Sequence, residues 1–137
     1  MNFSFSWTDL RNYGVALGIF LVIDFIWLTV IAKSLYAQHL GYLMAPKANL
    51  LAALIFYLLF VMGVQFFVLN PALASGDWTR ALFAGILFGL VTYATYDLTN
   101  LATVKDWPIL ITVIDLAWGS VVSGVTALLS FLIIRRF

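Results

Sequence analysis

The sequence predicts an all-α integral membrane protein, a four-helix bundle with both termini on the same side of the bilayer. Three observations carry this expectation. Of 137 residues, 64% are hydrophobic and only 9% charged, whereas soluble domains carry roughly a quarter charged residues. Four apolar stretches are each long enough to cross the hydrocarbon core as a helix. No lysine or arginine falls inside those stretches, yet three aspartates do: Asp24, Asp97 and Asp115.

The chain opens on a short amphipathic lead, Met1 to Asn12, in which Ser6 and Asp9 have capping-box spacing and Trp7 suits the interface. The first span covers about 13–32. Asp24 at its centre and the lack of a small-x-small cleavage site mark it as a retained helix rather than a signal peptide. Residues 33–47 read as a loop holding Tyr36, His39 and Tyr42, with Pro46 just before or within the first turn of the second span. That span, 48–69, is the most uniformly apolar, has only Tyr57 and Gln65 as polar residues beyond Asn49 at its start, reads as mainly structural, and is expected to end before Asn70-Pro71. A second loop leads through Asp77, an N-cap candidate, to the third span at 81–101. A third loop with Asp106 as the next N-cap candidate leads to the fourth span, 108–134, closed by Arg135-Arg136. Trp7, Trp78 and Trp107 fit interface anchors. Four spans put Arg11, Arg80, Arg135 and Arg136 on one side and Lys33, Lys47 and Lys105 on the other, which favours cytoplasmic termini.

Several function classes are excluded. The chain has no cysteine, no glutamate and one histidine, which rules out disulfides, thiolate metal sites and a Glu-x-x-His di-metal site within one chain. There is no basic run and no glycine-rich phosphate loop, so nucleic acid is not an expected partner; the lipid bilayer is. The sequence specifies no cofactor and no metal.

The chemistry concentrates in the polar, aromatic run Thr92 to Asn100 inside the third span. Ala81, Gly85, Gly89, Tyr93 and Asp97 recur every fourth residue, a small-to-polar stripe that lets helices approach closely and so faces inward. Asn100, three residues beyond Asp97, extends that face. The element Asp-x-x-Trp occurs twice, as Asp24/Trp27 and Asp115/Trp118. Asp24 lies nine residues before Lys33, Asp97 eight before Lys105 and Asp115 nine after Asp106, so the three carboxylates are expected at one depth. Without an internal cation, a proton or an external cation must neutralise such a cluster. Tyr93, Tyr96, Trp27, Trp118 and Asn100 supply hydrogen-bond donors, and their aromatic members supply faces for an organic cation.

The run Tyr93 to Thr103, followed by Trp107 and Asp115-x-x-Trp118-Gly119, resembles the hallmark of a bacterial family of small four-span membrane proteins, catalogued as a domain of unknown function. Asp24-x-x-Trp27-Leu28 and the Tyr57 region fit the same family. The resemblance implies a multi-pass protein of the bacterial inner membrane and carries over no catalytic residues.

The polar cluster admits three readings. The first is an intramembrane site of Asp24, Trp27, Tyr93, Tyr96, Asp97, Asn100, Asp115 and Trp118 that binds a proton, a cation or a small cationic or amphipathic ligand, as a small transporter would. The second is a membrane enzyme or accessory subunit in lipid or isoprenoid modification. The third is a structural protein whose polar groups only specify packing. The glycine stripes of the first and third spans also make a second copy of the chain a candidate partner.

Overall fold

A computed structural model describes residues 6–137, and among the described residues all regular structure is helical. Four helices are long and apolar enough to cross a membrane: α1, Trp7–Leu43; α2, Leu50–Ser75; α3, Trp78–Thr103; and α4, Ile109–Ile134. The portion of the expected amphipathic lead before Ser6 lies outside the described residues.

The start of α1 is set by the capping box that its spacing predicts. The Ser6 hydroxyl accepts from the Asp9 N–H at 3.3 Å, and the Ser6 N–H donates back to the Asp9 carboxylate at 3.0 Å. A single stripe of α1, Asn12, Ala16, Phe20 and Asp24, is buried at every fourth position, so Asp24 faces the bundle because Ala16 and Phe20 do. The helix does not stop at Ala32, as the apolar run alone suggests. It passes through a π-helical segment, Trp27–Ala32, and continues as Lys33–Leu40 with a closing turn at Gly41–Leu43. Residues 33–40 contain no glycine or proline and are rich in helix formers, so the helix outlasts its hydrophobic stretch. Tyr36 and His39 are therefore helical, not loop residues.

The second helix likewise runs through the expected stop at Asn70-Pro71 and ends at Gly76, which takes the left-handed conformation (φ 69°) common after helices. A π-helical segment, Val64–Leu69, immediately precedes Asn70-Pro71, and the Asn70 N–H bonds to the Gln65 carbonyl. Such local rewinding is how membrane helices accommodate the donor that proline lacks.

Asp77 caps α3 as its position predicts, accepting from the Thr79 N–H at 2.9 Å and the Thr79 hydroxyl at 2.6 Å. The Thr79 hydroxyl first, then its N–H, hold the exposed Asp77 carboxyl below the usual carboxylate range. Asp106 does not cap α4: it takes a left-handed turn (φ 61°), and the position before the helix belongs to Pro108. Trp107 is not an exposed anchor either. It is buried, and its indole donates to the Thr112 hydroxyl at 3.0 Å, tying the α3–α4 turn to the first turn of α4. Trp7 and Trp78 are exposed.

The core is organised on α4, which has the most buried positions of the four helices, among them Asp115, Gly119, Ser123 and Gly124. The glycine stripe of α3 lies directly on it. A Cβ on Gly85 would stand 2.9 Å from the Gly124 Cα and the Ser123 carbonyl oxygen, and one on Gly89 would run into the Gly119 carbonyl. By contrast, Gly14 and Gly18 of α1 have no such neighbour within 4 Å. At one end of the bundle the Gln65 amide donates to the Asp9 carbonyl at 2.8 Å, and the Arg11 guanidinium lies 4.9 Å from the Phe137 ring. At the other, the Tyr42 hydroxyl donates to the Asp106 carbonyl at 2.7 Å.

Two outcomes are expected. Gly89→Ala must push the α3 and α4 backbones apart and should cost roughly 1–3 kcal/mol, the usual range for overpacking. Gly18→Ala fills open space and should stabilise by about 0.5–1 kcal/mol through helix propensity. Unfolding in detergent followed by tryptophan fluorescence compares them. Because the folded Asp77 carboxyl is depressed, its cap contribution is present above the unfolded carboxylate pKa and disappears as pH falls through the lower folded value. An acid titration of stability should lose that component in Asp77→Asn.

Candidate functional site

A single cavity of about 180 Å³ brings α1, α2, α3 and α4 together, and Asp24, Trp27, Tyr36, Tyr57, Tyr93 and Trp118 line it. Its geometry is built from both Asp-x-x-Trp elements, with the tryptophan of one serving the aspartate of the other. The Trp118 indole N–H of α4 donates to the Asp24 carboxylate of α1 at 3.3 Å, and the Tyr57 hydroxyl of α2 donates to its second oxygen at 2.7 Å. The Trp27 and Trp118 rings stack in parallel, with centroids 4.3 Å apart and planes 7° from each other. Two donors aimed at two oxygens are the arrangement that a carboxylate, an acceptor-only group, requires.

Behind Trp27 lies a second acidic point. The Tyr36 hydroxyl donates to the Asp115 carboxylate, and Asp115 sits beside Asp97 of α3. Asp97 is fully buried, and the side-chain group beside its carboxyl is the Asp115 carboxyl. Asp97 faces Asp115 because the Ala81, Gly85 and Gly89 stripe below it is pressed on α4. Tyr93, on the same stripe, lays its ring over Gly119 and so forms the wall between Asp24 and the Asp97–Asp115 pair.

The predicted residues thus fall into three groups. Asp24, Trp27, Tyr93 and Trp118 share the cavity, and Asp97 and Asp115 form a pair reached from it through Tyr36. Tyr96 and Asn100 lie apart from the cavity. Tyr96 is 59% exposed and packs edge-on against Trp107 at 5.8 Å, with Asn100 beside it. The three carboxylates do not gather at one point: among the described residues no group of three acidic or histidine side chains is placed to hold a metal ion. The threonines of the polar run bond to their own helix, Thr92 to the Phe88 carbonyl at 2.8 Å and Thr95 to the Val91 carbonyl at 2.7 Å.

Two members of the site carry no obvious mark in the sequence. Tyr57 belongs to the span that reads as structural; its one signal is being the only phenol there. Tyr36 lies twelve residues after Asp24, which in a straight α-helix leaves it about 120° around the axis. The wider π-turn at Trp27–Ala32 unwinds some of that rotation and returns Tyr36 to the inner face.

The model of a family described as a predicted membrane protein, DUF2177, matches residues 10–132. The chain belongs to this family. No curated protein and no solved structure matches the chain. The family description gives DUF2177 proteins a membrane location and no activity, so the chemistry has to come from the site itself.

Removing the Tyr57 hydroxyl should be felt through Asp24. Tyr57→Phe should cost about 1–3 kcal/mol of stability, since a buried carboxylate oxygen loses its donor. Combined with Asp24→Asn it should cost less than the sum, with a coupling of roughly 0.5 kcal/mol or more. Tyr96→Phe should leave stability unchanged. Double-mutant unfolding curves in one detergent check all three.

Proposed function

We propose that this protein binds a small cationic group inside the membrane. The observation that carries the reading is the Asp24 carboxylate on the wall of a cavity lined mainly by aromatic rings, the stacked Trp27 and Trp118 with Tyr36, Tyr57 and Tyr93, and closed by Leu28 and Ala53. Asp24 accepts only neutral donors, from Tyr57 and Trp118. A carboxylate held this way in hydrocarbon calls for a positive partner, and aromatic faces around it favour an ammonium over a hydrated metal ion. The cavity is below the roughly 300–1,000 Å³ of drug-sized sites, so it suits a head group and not a bulky molecule.

The Asp97–Asp115 pair gives the reading its second half. Two adjacent carboxyls in a buried setting cannot both stand ionised without a proton or a cation between them. A cation entering through Tyr36 and a proton on the pair would then compete, the arrangement a proton-coupled exporter or importer uses. On this reading the protein works in the bacterial inner membrane with both termini cytoplasmic. The approach of Arg11 to Phe137 supports termini on one side.

Binding is measured with tetramethylammonium on protein in phosphatidylcholine nanodiscs, by the fluorescence of the stacked tryptophans and by calorimetry. Asp24→Asn should weaken affinity about tenfold or more, a loss of at least ~1.4 kcal/mol. Tyr96→Phe, outside the cavity, should bind as the unmodified protein does. Wild-type affinity in Asp24→Asn would end the proposal.

A further inference from the structure

A groove of about 510 Å³ adjoins the cavity on its membrane-facing side, walled by Leu21, Val22, Phe25 and Ile26 of α1 and sharing Asp24, Leu28 and Tyr57 with the cavity. Resting on the cation-binding reading above, we infer that the ligand is a single-chain cationic amphiphile: its ammonium head occupies the aromatic cavity and its hydrocarbon tail lies in this groove.

Position along α1 gives the first reason. The groove is built from residues 21 to 28 of α1 and the cavity from residues 24 to 36. The head therefore points toward the end that carries Lys33, and the tail points toward the middle of the helix. An amphiphile resting in the leaflet on the Lys33 side has the same polarity, so it can enter sideways from the bilayer without turning over. Charge supplies the second reason. No lysine or arginine lines either space, while a carboxylate lies at their junction. A phosphate-bearing head would be set against Asp24 with nothing to offset its charge, so phospholipids are disfavoured and a simple amine or quaternary ammonium is favoured. Volume supplies the third. The groove is open along its length and falls within the roughly 300–1,000 Å³ range of ligand sites, whereas the cavity alone holds little more than a head group. The groove's exposed walls, Val22 at 61% and Phe25 at 67%, are available to a chain arriving from the lipid.

The test compares tetramethylammonium with dodecyltrimethylammonium on protein in phosphatidylcholine nanodiscs, always between variants in the same discs so that partition into the bilayer cancels. Val22→Trp obstructs the groove and leaves the cavity intact. It should lower dodecyltrimethylammonium affinity about tenfold and leave tetramethylammonium affinity unchanged, the latter also showing that the fold is kept. Phe25→Ala, which removes a groove wall, should weaken only the long-chain ligand. Asp24→Asn should weaken both. If the two groove variants leave long-chain binding unchanged, or shift both ligands equally, the groove is ordinary lipid-covered surface and the inference is overturned while head-group binding stands. If neither ligand binds more tightly to the unmodified protein than to Asp24→Asn, the cation-binding reading itself falls, and this inference with it.

Discussion

The contact on which the rest depends is the bare backbone approach of α3 to α4. Gly85 and Gly89 leave no side chain between the helices, and Ser123, Gly124 and Gly119 meet them with main-chain atoms or small side chains. In hydrocarbon no hydrophobic force draws two helices together, so close packing supplies the association. That packing fixes rotation as well as distance. With the glycines turned toward α4, the same stripe must deliver Tyr93 onto Gly119 and Asp97 beside Asp115. The full burial of Asp97 beside a second carboxyl follows from an interface whose strength lies elsewhere.

On the other side of α4 the association is chemical rather than steric. Asp24 receives one donor from α2 and one from α4, and the indole that supplies the second is stacked on the tryptophan three residues along from Asp24 itself. Each Asp-x-x-Trp element is therefore half of a cross-helix arrangement. Substituting Trp118 would disturb Asp24 on the opposite helix directly, through the lost indole donor. The arrangement leaves α2 held by Tyr57 near its start, by the buried Phe60 and Val61 in its middle, and by the buried Val64, Gln65, Val68 and Leu69 beyond them.

The fold class was legible because hydrocarbon admits so few solutions: long apolar runs with no internal cation can only be helices. Where the helices end was less legible, since an apolar run reports where a helix can meet lipid and not where its hydrogen bonds cease; α1 and α2 both outlast their runs. Within the site, Asp24, Trp27, Tyr93 and Trp118 could be found by spacing on regular helices. Tyr36 could not: it lies beyond the apolar run, where the sequence reads as a loop, and the π-turn that brings it round breaks the period a continuing helix would show. Tyr96 is adjacent to Asp97 in sequence, and about 100° of helical rotation is enough to send it outward once Asp97 points in.

The hydrogen bond between Asp24 and Trp118 joins residues 94 positions apart, and this bears on how the protein is made. When α1 enters the bilayer, α4 has not yet been synthesised, and Asp24 has neither its indole donor nor, until α2 follows, the Tyr57 hydroxyl. The first helix therefore carries a carboxylate whose hydrogen bonding is incomplete until the final helix arrives. The glycine-packed α3–α4 hairpin, closed by a short turn that Trp107 pins to Thr112, can form as one unit at that stage and complete the bundle in a single docking step. Assembly is in this sense timed by its last segment: a chain truncated before α4 would leave Asp24 with the Tyr57 donor alone.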